Sequence, residues 1–121
     1  MSRITARLRI YFGNALAIGP GRIELLEGIQ RSGSLAQAAR DMDMSYRRAW
    51  LLMQSLNESL NSPATAAAKG GRHGGGASLT PTGIALIDVY RKMQHRVARD
   101  VNKNFARFAR SGRATTKVAE R

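Results

Sequence analysis

The sequence predicts a mainly helical domain with a small β-sheet, and three observations lead to this prediction. Two amphipathic segments joined by a tight turn lie within residues 33–56. Two short apolar segments flank a glycine-rich stretch at residues 70–76, which is typical of a hairpin. Apolar residues recur every three or four positions over residues 86–108, as in a long helix. Together they predict a winged helix-turn-helix domain with a long C-terminal helix over residues 1–110, followed by a disordered basic tail over residues 111–121.

The composition favours a polyanionic partner and gives no sign of catalysis. The 121 residues include 20 Lys and Arg against 8 Asp and Glu, a net charge of +12. Ten of these bases, against two acids, lie in residues 91–121. Such an excess favours nucleic acid as the partner. There is no cysteine, and neither histidine (His73, His95) has a partner at metal-ligand spacing, so we expect no metal, no cofactor and no enzyme.

No segment of the sequence is typical of a membrane protein or of a secreted one. No apolar run approaches the roughly 20 residues that a membrane-spanning helix needs. The N-terminus lacks the charged and then apolar pattern of a signal segment. We therefore expect a cytoplasmic protein.

The N-terminal segment alternates between apolar and polar residues, which predicts a strand over residues 4–12 with one buried face. Its apolar members are Ile4, Ala6, Leu8, Ile10 and Phe12. Gly13 and Asn14 end it, and we expect the strand to complete a small sheet with the later hairpin.

A first helix is predicted from Pro20 to Arg31, with Ile23, Leu26 and Ile29 on its buried side. Gly33 then suits the end of that helix and Ser34 the start of the next one, which extends to Met42. The second helix is expected to bury Leu35, Ala38, Ala39 and Met42.

A turn at Asp43 separates this helix from the third, predicted from an N-cap at Ser45 to Leu60. Asp tolerates the positive φ that such turns need. The buried stripe of the third helix is Ala49, Leu52, Met53, Leu56 and Leu60. Residues predicted to lie off that stripe are Tyr46, Arg47, Trp50, Leu51 and Gln54. Trp50 has two interpretations: contact with a partner, or packing on the first or second helix.

The glycine-rich stretch is interpreted as the tip of a wing between strands at residues 64–69 and 77–79. It lacks the Gly-Lys-Ser/Thr of a phosphate-binding loop and is not followed by a helix. Lys69 and Arg72 would neutralise DNA phosphates there, while the alternative is a loop with no binding role.

We therefore predict a DNA-binding surface on the third helix and the wing. Arg47 and Arg48 suit bidentate contacts to guanine or pairing with phosphate, and the alternative is a solvated helix face. The predicted DNA-binding residues are Ser34, Ser45, Tyr46, Arg47, Arg48, Trp50, Gln54, Lys69, Arg72 and His73.

The last helix, predicted from Pro81 to Arg110, has an apolar stripe that is too long for so small a domain to cover. The stripe is Leu86, Tyr90, Met93, Val97, Val101, Phe105 and Phe108. Its natural use is the seam of a homodimer. The alternative is that only the first half packs and the far half frays.

Several motifs resemble the DNA-binding domain of the ModE family of molybdate-responsive regulators, which is related to the winged helix of LysR-type regulators. They are Gly19-Pro20-Gly21-Arg22-Ile23, Gly33-Ser34-Leu35, Ala38-Ala39-Arg40, Met44-Ser45-Tyr46-Arg47-Arg48-Ala49-Trp50, the glycines around Arg72, and Leu79-Thr80-Pro81-Thr82-Gly83. The resemblance covers roughly residues 4–98. It implies a dimer that binds palindromic operators, with Ser45 to Trp50 on the recognition helix.

Family members continue into molybdate-binding domains, which these 121 residues do not contain, so a stand-alone DNA-binding domain is expected. Any effector-binding partner protein is unidentified. The predicted function is a sequence-specific, dimeric transcriptional regulator of molybdenum-related genes that binds double-stranded DNA. The alternatives are a nonspecific nucleoid-type DNA-binding protein and a protein-interaction module that has lost DNA binding.

Overall fold

A computed structural model describes residues 4–68 and 76–110, and it has the mainly helical architecture that the sequence predicts. The elements are β1 (Ile10–Phe12), β2 (Ala15–Ile18), α1 (Pro20–Ser32), α2 (Leu35–Asp41), α3 (Tyr46–Ser59), β3 (Thr65–Ala68), β4 (Gly76–Leu79) and α4 (Pro81–Phe105). A short 3-10 helix, Ala106–Phe108, follows α4. The predicted tail lies outside the described residues.

Helix α1 forms the centre of the core. Its side chains Ile23, Leu25 and Leu26 are completely buried, and Ile29 is 1% exposed. A Cβ on Gly28 would lie only 2.8 Å from Cβ of Ala38, so α1 and α2 approach too closely there for any larger residue. The predicted pair of the second and third helices is present as α2 and α3, and α1 packs closely on the first of them.

The N-terminal strand is shorter than predicted and pairs differently. Only Ile10–Phe12 form a strand, and β2, which the sequence analysis missed, pairs with it in antiparallel fashion. The backbone turns back at Gly13, whose φ is +69°, so the partner strand comes from the next few residues. The two hairpins β1–β2 and β3–β4 are therefore separate two-stranded sheets, and Phe12 is exposed rather than buried.

Residues 4–9 keep the predicted alternation of burial without forming a strand. They run along α4, where two hydrogen bonds hold the backbone. The hydroxyl of Tyr90 donates to the carbonyl of Leu8 at 2.7 Å, and Nδ2 of Asn102 donates to the carbonyl of Ile4 at 3.1 Å. This segment covers part of the face of α4 that would otherwise be open.

Helix α4 begins after Thr80, whose hydroxyl accepts a hydrogen bond from the backbone N–H of Gly83 at 3.1 Å. The predicted end at Arg110 is wrong, because the helix tightens into the 3-10 turn after Phe105 and the chain is extended by Ala109. Such a turn is a common way for a helix to end. Among the described residues, no helix is long and apolar enough to cross a bilayer.

Candidate nucleic-acid interface

The turn between α2 and α3 is closed by backbone hydrogen bonds and by a serine cap. Asp43 has φ +56°, the left-handed conformation predicted for it. The N–H of Met44 donates to the carbonyl of Ala39 at 2.9 Å, and the hydroxyl of Ser45 accepts from the N–H of Arg48 at 3.1 Å. The first turn of α3 is thereby fixed in direction, and Tyr46, Arg47 and Arg48 lie in it.

Helix α3 is held from one side, so its opposite side is presented to solvent. Ala49, Met53 and Leu56 are buried, as the predicted stripe requires. The side chains predicted to lie off the stripe are exposed, which confirms the predicted face: Tyr46, Arg47, Trp50, Leu51 and Gln54. At 100° per residue, Arg47 and Gln54 lie near the middle of this exposed face.

Trp50 lies at the edge of the exposed face, beside the β3–β4 hairpin. Its side chain is 46% exposed and that of Tyr46 is 55% exposed, so neither is a core residue. Both line an open groove of about 590 Å³ between α3 and the hairpin, with Ala66 and Ala67 on the opposite wall. Large aromatic surfaces left open beside a basic helix N-terminus are available for contact with a partner.

The hairpin carries this opposite wall in a regular four-pair register, from Thr65 opposite Leu79 to Ala68 opposite Gly76. One backbone hydrogen bond ties it to the loop between α1 and α2, and a second closes its base. The N–H of Ala77 donates to the carbonyl of Gly33 at 3.0 Å, and the N–H of Thr80 donates to the carbonyl of Ala64 at 2.9 Å. The predicted wing-tip residues Lys69, Arg72 and His73 lie outside the described residues.

Asn57, which the sequence analysis did not single out, joins α3 to the start of the hairpin. Its Oδ1 accepts from the N–H of Ala64 at 2.8 Å, and its Nδ2 donates to the hydroxyl of Thr65 at 3.0 Å. The available signal was its spacing, because Asn57 follows Trp50 by seven residues, two helical turns along the same side. Asn57 thus ties α3 to the hairpin and also lines the groove between them.

Arg22 of α1, also missed, flanks the other side of α3. Its Nη2 donates to the hydroxyl of Ser55 at 2.8 Å, while its Nε is buried without a hydrogen-bond partner. Burial and the nearby guanidinium of Arg48 both lower the pKa of Arg22. Two cations on this flank repel each other, and an anion placed beside them would relieve that repulsion.

Ser34 and Ser45, both predicted to contact DNA, also cap helices. The hydroxyl of Ser34 accepts from the N–H of Gln37 at 3.0 Å and caps α2, as that of Ser45 caps α3. Gln54 is exposed, and its Nε2 lies 3.4 Å from Oε2 of Glu58. Glu58 gives this surface a negative charge near the far end of α3.

The predicted seam on α4 needs one correction. Tyr90 is 1% exposed and its hydroxyl is bonded to Leu8, so it belongs to the core of its own chain. Leu86 also packs against that core. Beyond them, Met93, Val97 and Val101 are half-buried, and Phe105 and Phe108 are 54% and 68% exposed. The part of the stripe still open therefore begins at Met93.

Helices α2 and α3, the turn between them and the β3–β4 hairpin together form a winged helix-turn-helix domain. The DNA-binding domain of CbnR, solved in complex with DNA, has this fold: the TM-score is 0.58 at 20% identity, over 73% of this chain and 95% of that domain. Among the described residues, no group of His, Asp and Glu could hold a metal ion.

Sequence relatives of the chain are named for molybdenum-pterin binding, for molybdenum transport or for transcriptional regulation. The chain is 44% identical over 82 residues to the molybdenum-pterin-binding protein MopB of Rhodobacter capsulatus, covering 68% of this chain and 30% of that protein. It is 34% identical over 93 residues to the molybdenum transport protein ModE of Azotobacter vinelandii, covering 77% and 34%. It is 42% identical over 71 residues to the DNA-binding transcriptional dual regulator ModE of Escherichia coli K12, covering 59% and 27%.

The resemblance to ModE-family regulators is thereby confirmed for this part of the chain, and none of these relatives is named as an enzyme. The chain spans about a third of the length of the relatives that it matches. No family model matches it.

Proposed function

We propose that this chain is a sequence-specific DNA-binding regulator of molybdenum-related genes that acts as a dimer. The observation that carries the proposal is the exposed, capped N-terminus of α3, where Arg47 and Arg48 stand beside Tyr46 and Trp50. A second helix of this kind reads base edges in the major groove, mainly through its first residues. The relation to ModE regulators supports the same assignment.

In this proposal the groove between α3 and the hairpin takes the DNA strand that separates the major groove from the minor groove. Arg47 and Arg48 contact guanine or phosphate, and Trp50 and Tyr46 supply apolar contact to sugars or to thymine methyl groups. Ser34, Ser45 and Gln54 contact the backbone from α2 and α3. Lys69, Arg72 and His73 extend the contact from the wing.

The proposed seam is the open part of the α4 stripe, from Met93 to Phe108. An exposed pair of phenylalanines, with ring centroids 6.1 Å apart, is an apolar feature that a second copy would cover. A two-fold dimer would place the two copies of α3 about 34 Å apart, one turn of DNA. Replacing Phe105 and Phe108 together by Ser should convert a dimer into a monomer in sedimentation equilibrium. A wild-type chain that sediments as a monomer would overturn the seam.

Selection of bound sites from a random DNA pool at about 150 mM salt tests the function directly. We expect a palindrome with half-sites about ten base pairs apart. Recovery of no motif, with binding that disappears as salt rises, would instead favour the nonspecific, nucleoid-type role that the basic residues 91–121 also suit.

Single variants then separate specific contact from general charge. Arg47→Ala and Arg48→Ala should each weaken binding to the selected site by about ten- to a hundredfold. Arg7→Ala, which removes an exposed positive charge from the N-terminal segment, is the matched control and should change binding little. Equal losses in all three variants would argue against base reading by α3.

A further inference from the structure

A row of four cations follows one side of α4, and neither the recognition surface nor the proposed seam uses it. Lys92, Arg96, Arg99 and Lys103 are separated by four, three and four residues, and all are exposed. At 100° per residue they lie within an arc of about 60°, and at 1.5 Å per residue they extend over about 16 Å. We call these four residues the basic ridge.

Two exposed carboxylates, those of Asp88 and Asp100, border the basic ridge. Nζ of Lys92 lies 3.1 Å from Oδ2 of Asp88 in an exposed ion pair. Arg96, Arg99 and Lys103 form no ion pair with any acid in residues 4–68 or 76–110, although Asp100 lies on the same helix. Like charges three and four residues apart destabilise a helix, so this arrangement is unfavourable without an anionic partner.

The neighbouring Arg91 shows what a paired cation looks like on the same helix. Its Nε and Nη2 donate to both carboxylate oxygens of Glu27, at 2.8 and 2.7 Å. This pair raises the pKa of Arg91 and lowers that of Glu27. Arg91 therefore helps to fix α4 on α1, whereas Arg96, Arg99 and Lys103 form no ion pair with the described part of the chain.

The position of the basic ridge leaves it open when the other surfaces are occupied. The apolar stripe of α4, represented here by Met93, Val97 and Val101, points roughly 130° away around the helix. A dimer formed through that stripe would leave both ridges accessible. The recognition residues are on α3, a different element.

We infer that the basic ridge is a second DNA-binding surface, which holds the phosphate backbone of DNA outside the base pairs contacted by α3. The inference rests on the proposed function for its choice of DNA as partner. An evenly spaced row of cations suits a polymer that carries one charge per roughly 1.7 Å of its axis. The cores of protein–protein interfaces are depleted of charged residues, so a row of four cations suits an acidic protein less well.

The DNA on the ridge can come from two sources, the flanks of the bound duplex or a separate duplex. For the first source, the dissociation constant is measured with a duplex of about 20 base pairs holding the selected site, and with one of about 50 base pairs holding the same site centrally. Both are titrated over a series of salt concentrations. The test variant is Arg96→Gln, Arg99→Gln and Lys103→Gln combined, and the control is Arg96→Lys, Arg99→Lys and Lys103→Arg. All of these residue types favour helices, so α4 should persist in both proteins.

For flanking DNA, we expect the wild type to bind the long duplex at least about tenfold more tightly than the short one. The Gln variant should lose that gain while keeping its affinity for the short duplex. Its salt slope on the long duplex should fall by at most about 2.7 per chain, from three lost phosphate contacts. The charge-preserving control should behave as the wild type.

For a separate duplex, the long duplex is fixed to beads, and capture of a second, labelled duplex is measured. The wild type and the control should capture it, and the Gln variant should not. The inference is overturned if the Gln variant matches the wild type in both assays, which is the result expected if the ridge binds an acidic protein instead. It is also overturned if the Gln variant loses affinity equally for the short and the long duplex. If the proposed function is wrong, the wild-type chain itself shows no site-specific binding to the short duplex. That result is distinct from any difference between the wild type and the Gln variant.

Discussion

Replacing Asn57 by Ala should weaken the connection between the recognition helix and the wing. The change removes the hydrogen bonds to the N–H of Ala64 and to the hydroxyl of Thr65. Each contributes about 0.5–1.5 kcal/mol, and Ala64 is 0% exposed, so its N–H is left without a partner. Ala is the better helix former by about 0.5 kcal/mol, which offsets part of the loss. The expected decrease in the free energy of unfolding is about 1–2 kcal/mol.

A decrease of this size should lower the melting temperature of a domain of this length by about 4–8 °C, measured by circular dichroism at 222 nm. Thr65→Val is the matched comparison, because it removes only the second bond, and it should cost about half as much. The hairpin is also held by Gly33 and Ala77, so Asn57→Ala should still fold. A melting temperature within about 1 °C of the wild type would refute the role assigned to Asn57.

Three further predictions concern the rest of the fold. Tyr90→Phe keeps the ring and removes the bond to Leu8, so urea unfolding should show a loss of about 1 kcal/mol; an unchanged midpoint would contradict this. Asp43→Gly should raise the melting temperature, because glycine relieves about 0.5–1 kcal/mol of left-handed strain. The hydrogen bond from Arg91 lowers the pKa of Glu27, so the pair stabilises the fold above the ordinary glutamate pKa and less as pH falls through the lowered value. At pH 7 the free energy of unfolding of the wild type should exceed that of Glu27→Gln by less than about 1 kcal/mol. The difference should shrink as pH falls through the lowered pKa of Glu27, and a difference that stays constant with pH would exclude the pair as the cause.

The helix-turn-helix could be predicted closely because its signals are local. Gly33 ends α1 and Ser34 caps α2 within the same few residues, and Ser45 caps α3. Such features depend on a single turn of backbone, and the sequence displays them directly. The exposed face of α3 followed from periodicity for the same reason.

Features that depend on distant parts of the chain could not be read in this way. Periodicity placed Tyr90 on the apolar stripe of α4. Periodicity alone does not tell whether such a residue packs in the core of its own chain or at the interface between two copies. That distinction depends on the N-terminal segment, whose Leu8 carbonyl receives the tyrosine hydroxyl. The role of Asn57 likewise depends on where the hairpin docks.

The N-terminal hairpin β1–β2 was missed for a different reason, because its signal was present and interpreted only as a break. Gly13 and Asn14 separate two short segments of strand-forming residues, a pattern that also predicts a tight hairpin turn. Alternation over residues 4–12 favoured one long strand, but in the structure the turn at Gly13 limits the strand to the residues that pair with β2.

The hydrogen bond between Asn102 and Ile4 brings together residues that are 98 positions apart in sequence. The first residue that the structure describes and the last turns of α4 are therefore neighbours in space. A donor and acceptor dye attached near these two positions would give high energy transfer only when nearly the whole chain is folded. For the same reason, a bulky group attached at Ile4 would lie beside the last turns of α4.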